Sequence, residues 1–227
     1  MDDLINELKC SKLGCHIGNL YYGCIMYADD LLLLCPSVHG LQCMLDICSA
    51  YGVRYKIAFN AKKTVCIAVG KLWHLRHINL YISNNVIPWS SCFKYLGIDF
   101  LANDTLLVNI ASMRHKFYAS CNSILSRCRA AEPVKLQLLK SFCLPFIIYC
   151  IGAIDLNKSQ VKQMSVCWND GYRKVFGFHR WESVKVLQWF CNDLPFDYLY
   201  DKCRLAFYGS SSCVKPIGKL VNLLKFN

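Results

Sequence analysis

The chain has 227 residues, 55% of them hydrophobic and 18% charged, with a net charge of +11. This apolar content excludes a disordered polypeptide and suffices for one domain, or two small ones, with a real core. The charge is uneven: residues 101–227 hold 17 Lys/Arg against 8 Asp/Glu, and residues 1–100 hold 9 against 7. The second half thus carries the field of a nucleic-acid-holding module, or of ordinary solvated helices.

Along the chain, Asp2 to Lys12 has helical spacing, with Leu4, Ile5 and Leu8 on one face and acids near the start. Met1-Asp2-Asp3-Leu4 sets two acids side by side, but helical spacing follows them and no strand precedes them. In residues 23–34, two short apolar runs flank Ala28-Asp29-Asp30, which predicts a buried hairpin. Tight hairpin turns favour glycine because their central residues need positive φ, and this tip has none. Two carboxylates crowd it instead, with little water expected between the strands to screen them. A hard cation such as Mg²⁺ relieves that repulsion; the alternative is an exposed acidic turn that binds nothing.

Ser37 is placed to cap a helix running to about Tyr51, with Val38, Leu41, Met44, Leu45, Cys48 and Tyr51 at helical intervals and Gly52 ending it. A loop at Ile57–Thr64 leads into a strand-like run, Val65 to Val69. Lys71 to Asn85 reads as irregular, apart from a strand at Leu80–Ile82 and a turn at Ser83-Asn84-Asn85. Phe93 to Phe100 is again strand-like, and Gly97 lets a backbone approach closely there. From about Leu106 the pattern turns helical, with helices predicted near 105–128, 133–144, 158–176 and 183–191 and a tail from Gly209 expected to be loosely ordered. In the third helix Val161, Met164, Trp168, Tyr172 and Val175 form a stripe that reads as core. The longest apolar run, Phe142 to Ile154, is 13 residues and contains Pro145 and Gly152. A spanning helix needs about 20 residues, so the run reads as a buried connection and no membrane segment is predicted.

Sixteen cysteines are present, with no Cys-x-x-Cys and no pair followed by a spaced His pair. His74-x-x-His77 has no partner ligands at a suitable spacing. The thiols therefore read as small buried hydrophobes of a reducing compartment rather than as a disulfide framework or zinc site. The opening Met-Asp-Asp carries no apolar signal segment, which predicts an intracellular protein, nuclear or cytoplasmic, and not a secreted one.

Tyr27-Ala28-Asp29-Asp30 resembles the third catalytic motif of reverse transcriptases. Its neighbours, Leu31 to Leu34 with Pro36-Ser37 and the upstream Gly14-Cys15-His16-Ile17-Gly18, are similar to those of non-LTR (LINE-type, jockey-like) retrotransposons. Asn60-Ala61-Lys62-Lys63-Thr64 resembles the family's fourth motif, and Tyr95-Leu96-Gly97 its fifth. Arg173 with Phe176-Gly177 resembles the region beyond the palm, and the resemblance covers roughly residues 1–180.

It implies an α+β fold: a partial polymerase palm sheet with the catalytic β-hairpin (1–103), a thumb-like helical region (104–155) and a helical C-terminal extension (156–227). Asp29 and Asp30 would be catalytic metal ligands in a two-Mg²⁺ site. Lys63 would approach the triphosphate and protonate the leaving pyrophosphate, a role its cation also suits by offsetting developing charge. Tyr27, Tyr95, Leu96 and Gly97 would contact nucleic acid. Arg114, Lys116, Arg127 and Arg129 are candidates to track a backbone, contacts that position a duplex without reading it. The implied partners are an RNA template, a DNA primer and a dNTP.

The same resemblance implies a missing portion. In the family the metals are shared with an earlier Asp-bearing strand, preceded by a glycine-rich segment, and only 26 residues precede Tyr27 here. Their acids, Asp2, Asp3 and Glu7, fall in the predicted helix. The expectation is therefore the C-terminal half of a reverse transcriptase, inactive alone and lacking the N-terminal half as its partner, with unpaired sheet edges. The alternative is a non-catalytic nucleic-acid-binding remnant that uses the basic helical half.

Overall fold

Asp2 and Asp3 at its start and Lys9 at its end complement the dipole of the first helix, α1 (Asp2–Cys10), which buries Leu4 and Leu8. The computed structural model describes residues 2–70 and 78–212 and divides the chain into two units, Met1–Val108 and Asn109–Asn227. His74 and His77 lie outside the described residues.

In the first unit four of the described hairpins close with two-residue turns, and a fifth turns through Asn103, Asp104 and Thr105. β1 (His16–Ile17) and β2 (Leu20–Tyr21) pair antiparallel, as do β3 (Cys24–Tyr27) with β4 (Asp30–Leu33) and β5 (Leu80–Ile82) with β6 (Asn85–Ile87). β7 (Cys92–Tyr95), β8 (Ile98–Ala102) and β9 (Leu106–Val108) form a three-stranded meander. Each of the two-residue turns has at least one residue with positive φ: Gly18, Ala28, the pair Ser83-Asn84 and the pair Leu96-Gly97.

The helix α2 (Val38–Tyr55) separates two cores. Its Ser37 cap accepts from Gly40 N–H at 3.1 Å. Met44, Cys48 and Tyr51 join Leu4 and Leu8 in one core, while Leu45 joins Cys66, Leu80, Ile82 and Ile87 in the other. The open edge of β5 is satisfied by α2 side chains. The Gln42 amide donates to Tyr81 O at 3.1 Å and accepts from Tyr81 N–H at 2.9 Å, and Ser49 Oγ accepts from Ser83 N–H at 3.0 Å.

The second unit is helical. α3 (Ile110–Leu125) starts at Asn109, whose side chain accepts from Ala111 N–H. α4 (Glu132–Leu138) continues through a π-helical turn, Leu139–Cys143, into α5 (Pro145–Ile148) and a 3₁₀ turn, Ile151–Ala153. α6 (Lys158–Phe176) has a reciprocal capping box between Asn157 and Gln160 and ends at left-handed Gly177. α7 (Lys185–Phe190) and α8 (Phe196–Ser212) follow. The core gathers Phe117, Cys121, Leu139, Cys143, Ile147, Trp168, Tyr172 and Phe196, all essentially buried. Tyr172 hydroxyl and Lys140 Nζ both engage the Asp193 carboxylate, the latter at 2.6 Å, and Trp168 Nε1 donates to Leu194 O at 3.2 Å. These bonds fasten the α7–α8 connection to α6 and to the π-helical turn.

Five expectations change. Gly52 does not end α2, which runs to Tyr55 with Lys56 as its left-handed cap. Gly52 is where the returning chain crosses the helix, and a Cβ there would meet Ile57 O at 2.6 Å. Val65–Val69 forms one isolated bridge, Cys66 to Trp89, because Pro88 has no N–H with which to extend the pairing. Leu106–Val108 is strand, held by its register with Phe100–Ala102, and helix begins only at Ile110. Gly209 lies within α8, which runs to Ser212, and the rest of the tail expected to be loose lies outside the described residues.

The run Phe142 to Ile154 is amphipathic rather than buried. Cys143, Ile147 and Ile151 point inward, while Phe142 and Tyr149 are 56% and 52% exposed. The whole helical run Glu132–Ala153 has, by length and composition alone, what a membrane-crossing helix needs. Its inward face nevertheless packs on α3 and α6, as a core helix does.

Two predictions follow from these cores. A Cβ on Gly152 would fall 2.5 Å from the Cys203 carbonyl oxygen, a backbone atom that cannot move aside without α8. Gly152→Ala should lower stability by about 1–3 kcal/mol in chemical denaturation, whereas Gly209→Ala, with open space around it, should not lower it. In the first unit, burial pushes the Cys48 thiol up to about 12, with Cys24 adding to the effect, and burial pushes Cys66 to about 11. Unfolded thiols ionise first, so stability is full below about pH 9 and declines as pH rises toward 12. Cys48→Ala should flatten that alkaline decline in pH-dependent urea melts.

Candidate functional site

The β3–β4 ribbon obeys the period of two. Cys24, Met26, Leu31 and Leu33 pack on the core of Leu4, Leu8, Met44, Cys48 and Tyr51. Tyr27 and Asp30 are directly opposite each other at the last pair of the ladder, and both are exposed, Tyr27 at 64%. Ala28 and Asp29 make the turn, with Ala28 at φ 53°. A non-glycine residue there carries strain of about 1 kcal/mol or more. The tip thus presents Tyr27, Asp29 and Asp30 together. The ribbon is half-buried rather than buried, and solvent reaches both carboxylates, so their mutual repulsion is screened more than the sequence implied.

The open end of the ribbon is fastened by the segment before it. Leu34 N–H donates to Gly23 O at 2.8 Å, Cys15 N–H to Leu34 O at 2.9 Å, and Tyr22 N–H to Cys15 O at 2.8 Å. Gly14, at φ 98°, lies so close that a Cβ would meet Gly23 Cα at 2.7 Å and Leu34 O at 3.0 Å. In sequence Gly14 is only part of the string Gly14–Gly18; its steric role is visible only in the fold.

The β7–β8 turn is Leu96-Gly97, both at positive φ. The Tyr95 hydroxyl oxygen is buried and has no hydrogen-bond partner among the described residues. Burial raises its pKa, and the negative charge of Asp30 raises it further, with a smaller effect from Cys24. Two hairpins about 65 residues apart in sequence therefore bring Tyr95 and Asp30 within electrostatic reach of each other. No periodicity in the sequence signals that pairing.

The Asn60–Thr64 loop is an Asn-centred turn. Asn60 Oδ1 accepts from Lys62 and Lys63 N–H at 3.2 and 3.3 Å, and Asn60 O accepts from the Thr64 hydroxyl at 2.9 Å. Asn60 and Thr64 thus shape the loop, leaving Lys62 and Lys63 exposed. No described hydrogen bond or ion pair joins Lys63 to Asp29 or Asp30.

The basic candidates of the second unit do not share one situation. Arg114 is half-buried and donates to Gln163 Oε1 at 2.8 Å, with its Nε buried and lacking a partner among the described residues. Lys116 is half-buried on α3, and Arg127 and Arg129 are exposed just beyond its end. Arg173 is occupied: it pairs with Asp170 at 2.8 Å and donates twice to Glu182 O at 3.1 Å.

Carboxylate oxygens at the tip suit a hard cation such as Mg²⁺ in type. In number they do not furnish the ligand set of a two-metal centre. Among the described residues no group of three or more His, Cys, Asp or Glu side chains converges there or elsewhere. No disulfide joins the described cysteines either.

Comparison with known proteins gives one informative relation. The chain is 31% identical over 121 residues to the retrovirus-related Pol polyprotein of a type-2 retrotransposable element of Drosophila melanogaster. The aligned part is 49% of this chain and 11% of that protein, so the chain spans about a tenth of its relative's length. No family model matches, and no solved structure matches.

The geometry makes one prediction. Asp30→Asn removes the negative charge near the Tyr95 hydroxyl, so the Tyr95 pKa should fall toward the ordinary phenol value. NMR titration of ¹³Cζ-labelled tyrosine reads this directly, and an unmoved Tyr95 would show that the two hairpins are not coupled.

Proposed function

We infer that the chain has a retrotransposon-related origin, since about half of it is 31% identical to part of a Pol polyprotein. We propose, more finely, that it is a segment of a non-LTR reverse transcriptase carrying the third, fourth and fifth polymerase motifs, and that it is catalytically incomplete by itself. The observation that carries this reading is the tip of β3–β4: a strained, glycine-free turn that places Asp29 and Asp30 beside Tyr27 in solvent while the rest of the ribbon is anchored in a core. Strain held at an exposed acidic tip is characteristic of sites that bind rather than of turns that merely connect.

Mg²⁺, when bound by the full ligand set, supplies charge neutralisation for phosphoryl transfer. This chain contributes two carboxylates toward that set. Lys63 contributes an exposed cation on a loop made rigid by Asn60, suited to meet a triphosphate. The charge of Asp30 acts on the Tyr95 hydroxyl, and Leu96-Gly97 offers a tight turn for close approach to a primer strand. The RNA template, DNA primer and dNTP are the ligands of this reading, and the palm-and-thumb architecture is part of it. Arg127 and Arg129, exposed in the basic unit, support a second reading, a nucleic-acid-binding remnant without catalysis.

Primer extension on an RNA template with a DNA primer and Mg²⁺ separates the two. The chain alone should give no extension above the Asp29→Ala background. Joined to a polymerase segment that supplies the earlier Asp-bearing strand, it should extend primers, and Asp29→Ala or Asp30→Ala should reduce that by about a hundredfold or more. Extension by the chain alone that Asp29→Ala abolishes would overturn the incompleteness. Duplex binding that ignores both Mg²⁺ and Asp29→Ala, with no extension in the joined form, would favour the remnant.

A further inference from the structure

The most exposed aromatic side chains of the second unit cluster in one short stretch of sequence that the polymerase motifs do not include. Between α6 and α8, Trp181 is 81% exposed, Trp189 75% and Phe190 73%. Two tryptophans and a phenylalanine stand this bare within ten residues, and exposure of large apolar side chains, where they group, marks binding surfaces.

The stretch is not loose. Arg173 donates from Nε and an Nη to the Glu182 carbonyl at 3.1 Å each, and the Glu182 carboxylate accepts from His179 N–H. The His179 and Trp181 rings stack in parallel, with centroids 4.7 Å apart and planes 6° apart. Gln188 is buried and donates to Asn169 Oδ1 at 3.0 Å, which fixes α7 and leaves Trp189 and Phe190 outward. The anchoring is on the inside and the rings are on the outside.

Charge selects the occupant. Arg180 and Lys185 flank Trp181, both are exposed, and neither has an ion-pair partner among the described residues. The one acid within residues 178–190, Glu182, is taken up by the loop itself. The whole second unit holds 17 Lys/Arg against 7 Asp/Glu. Rigid, solvent-facing rings interleaved with unpaired cations match unpaired bases on a polyanionic backbone, since every base offers a face to stack and every linkage a charge.

We propose that residues 178–190 form a stacking platform for single-stranded nucleic acid, with Trp181 as the principal ring and Arg180 and Lys185 contacting the backbone. The platform needs neither the acidic tip nor Mg²⁺, so it stands or falls independently of the polymerase reading.

The test is tryptophan fluorescence and anisotropy titration of the full Asp29→Ala chain with a 20-nucleotide oligo(dT), without Mg²⁺. Binding should quench fluorescence. Trp181→Ala should weaken affinity roughly tenfold, and Trp181→Phe should retain most of it. Arg180→Gln with Lys185→Gln should reduce the slope of log affinity against log salt by about one to two. Circular dichroism confirms that each variant is folded. Unchanged affinity in Trp181→Ala would overturn the proposal. So would equal loss in Trp181→Ala and Trp181→Phe, which would show that no ring stacking is involved. Concentration-dependent self-association lost in Trp181→Ala, with no oligonucleotide binding, would assign the patch to a second copy of the chain instead.

Discussion

A two-stranded ribbon has two faces, and burial of one of them on α1 and α2 decides what the other can do. Leu4 and Leu8 from α1, with Met44 and Cys48 from α2, take Cys24, Met26, Leu31 and Leu33. A slip of one residue in either strand would turn those side chains to water and draw Tyr27 and Asp30 under the helices. The register is therefore held by the apolar core, not by the tip. Gly14 locks the far end, where its backbone lies against Gly23 and Leu34 too closely for any side chain, and a side chain on Gly23 would strike the Tyr21 ring. The acidic tip is consequently a well-placed feature that contributes little to its own placement.

Much of this was legible in the sequence because it is local. The α1 and α6 patterns, the Ser37 cap, and the apolar–tip–apolar sense of β3–β4 depend on spacing that a single strand of text preserves. The boundaries that were misread were set by distant segments. Gly52 reads as a helix stop until the returning Ile57–Phe59 stretch is seen to cross it. Leu106–Val108 reads as the start of a helix until β8 pairs with it. The run Phe142–Ile154 looks uniformly apolar, and only the helix reveals that Cys143, Ile147 and Ile151 turn inward while Phe142 and Tyr149 do not. Among site residues, Tyr27, Asp29 and Asp30 are adjacent in text and in space. The electrostatic influence of Asp30 on Tyr95 has no counterpart in spacing. The exposed Trp181 was invisible for the opposite reason, since a tryptophan in sequence is ordinarily counted as core.

The two units differ in how they use polar groups. In the first, side chains from α2 complete a strand edge, with the Gln42 amide standing where another strand's backbone could pair. In the second, Asp193 collects Tyr172 and Lys140, and Arg173 ties a loop to its own helix. Both are ways of satisfying backbone and charge without extending a sheet. They suit a chain whose strands group in twos and threes among the described residues.

Ala28 and Leu96 have a consequence for anyone seeking a sturdier form of this protein. Both occupy left-handed turns in which a side chain is unwelcome, at φ 53° and 47°. Glycine at either position would remove a local penalty of about 1 kcal/mol or more, offset in part by the extra freedom glycine gives the unfolded chain. The molecule thus holds an unclaimed reserve of stability at the two turns nearest its candidate chemistry. An engineer could draw on that reserve at Leu96 while leaving the acidic turn as it is.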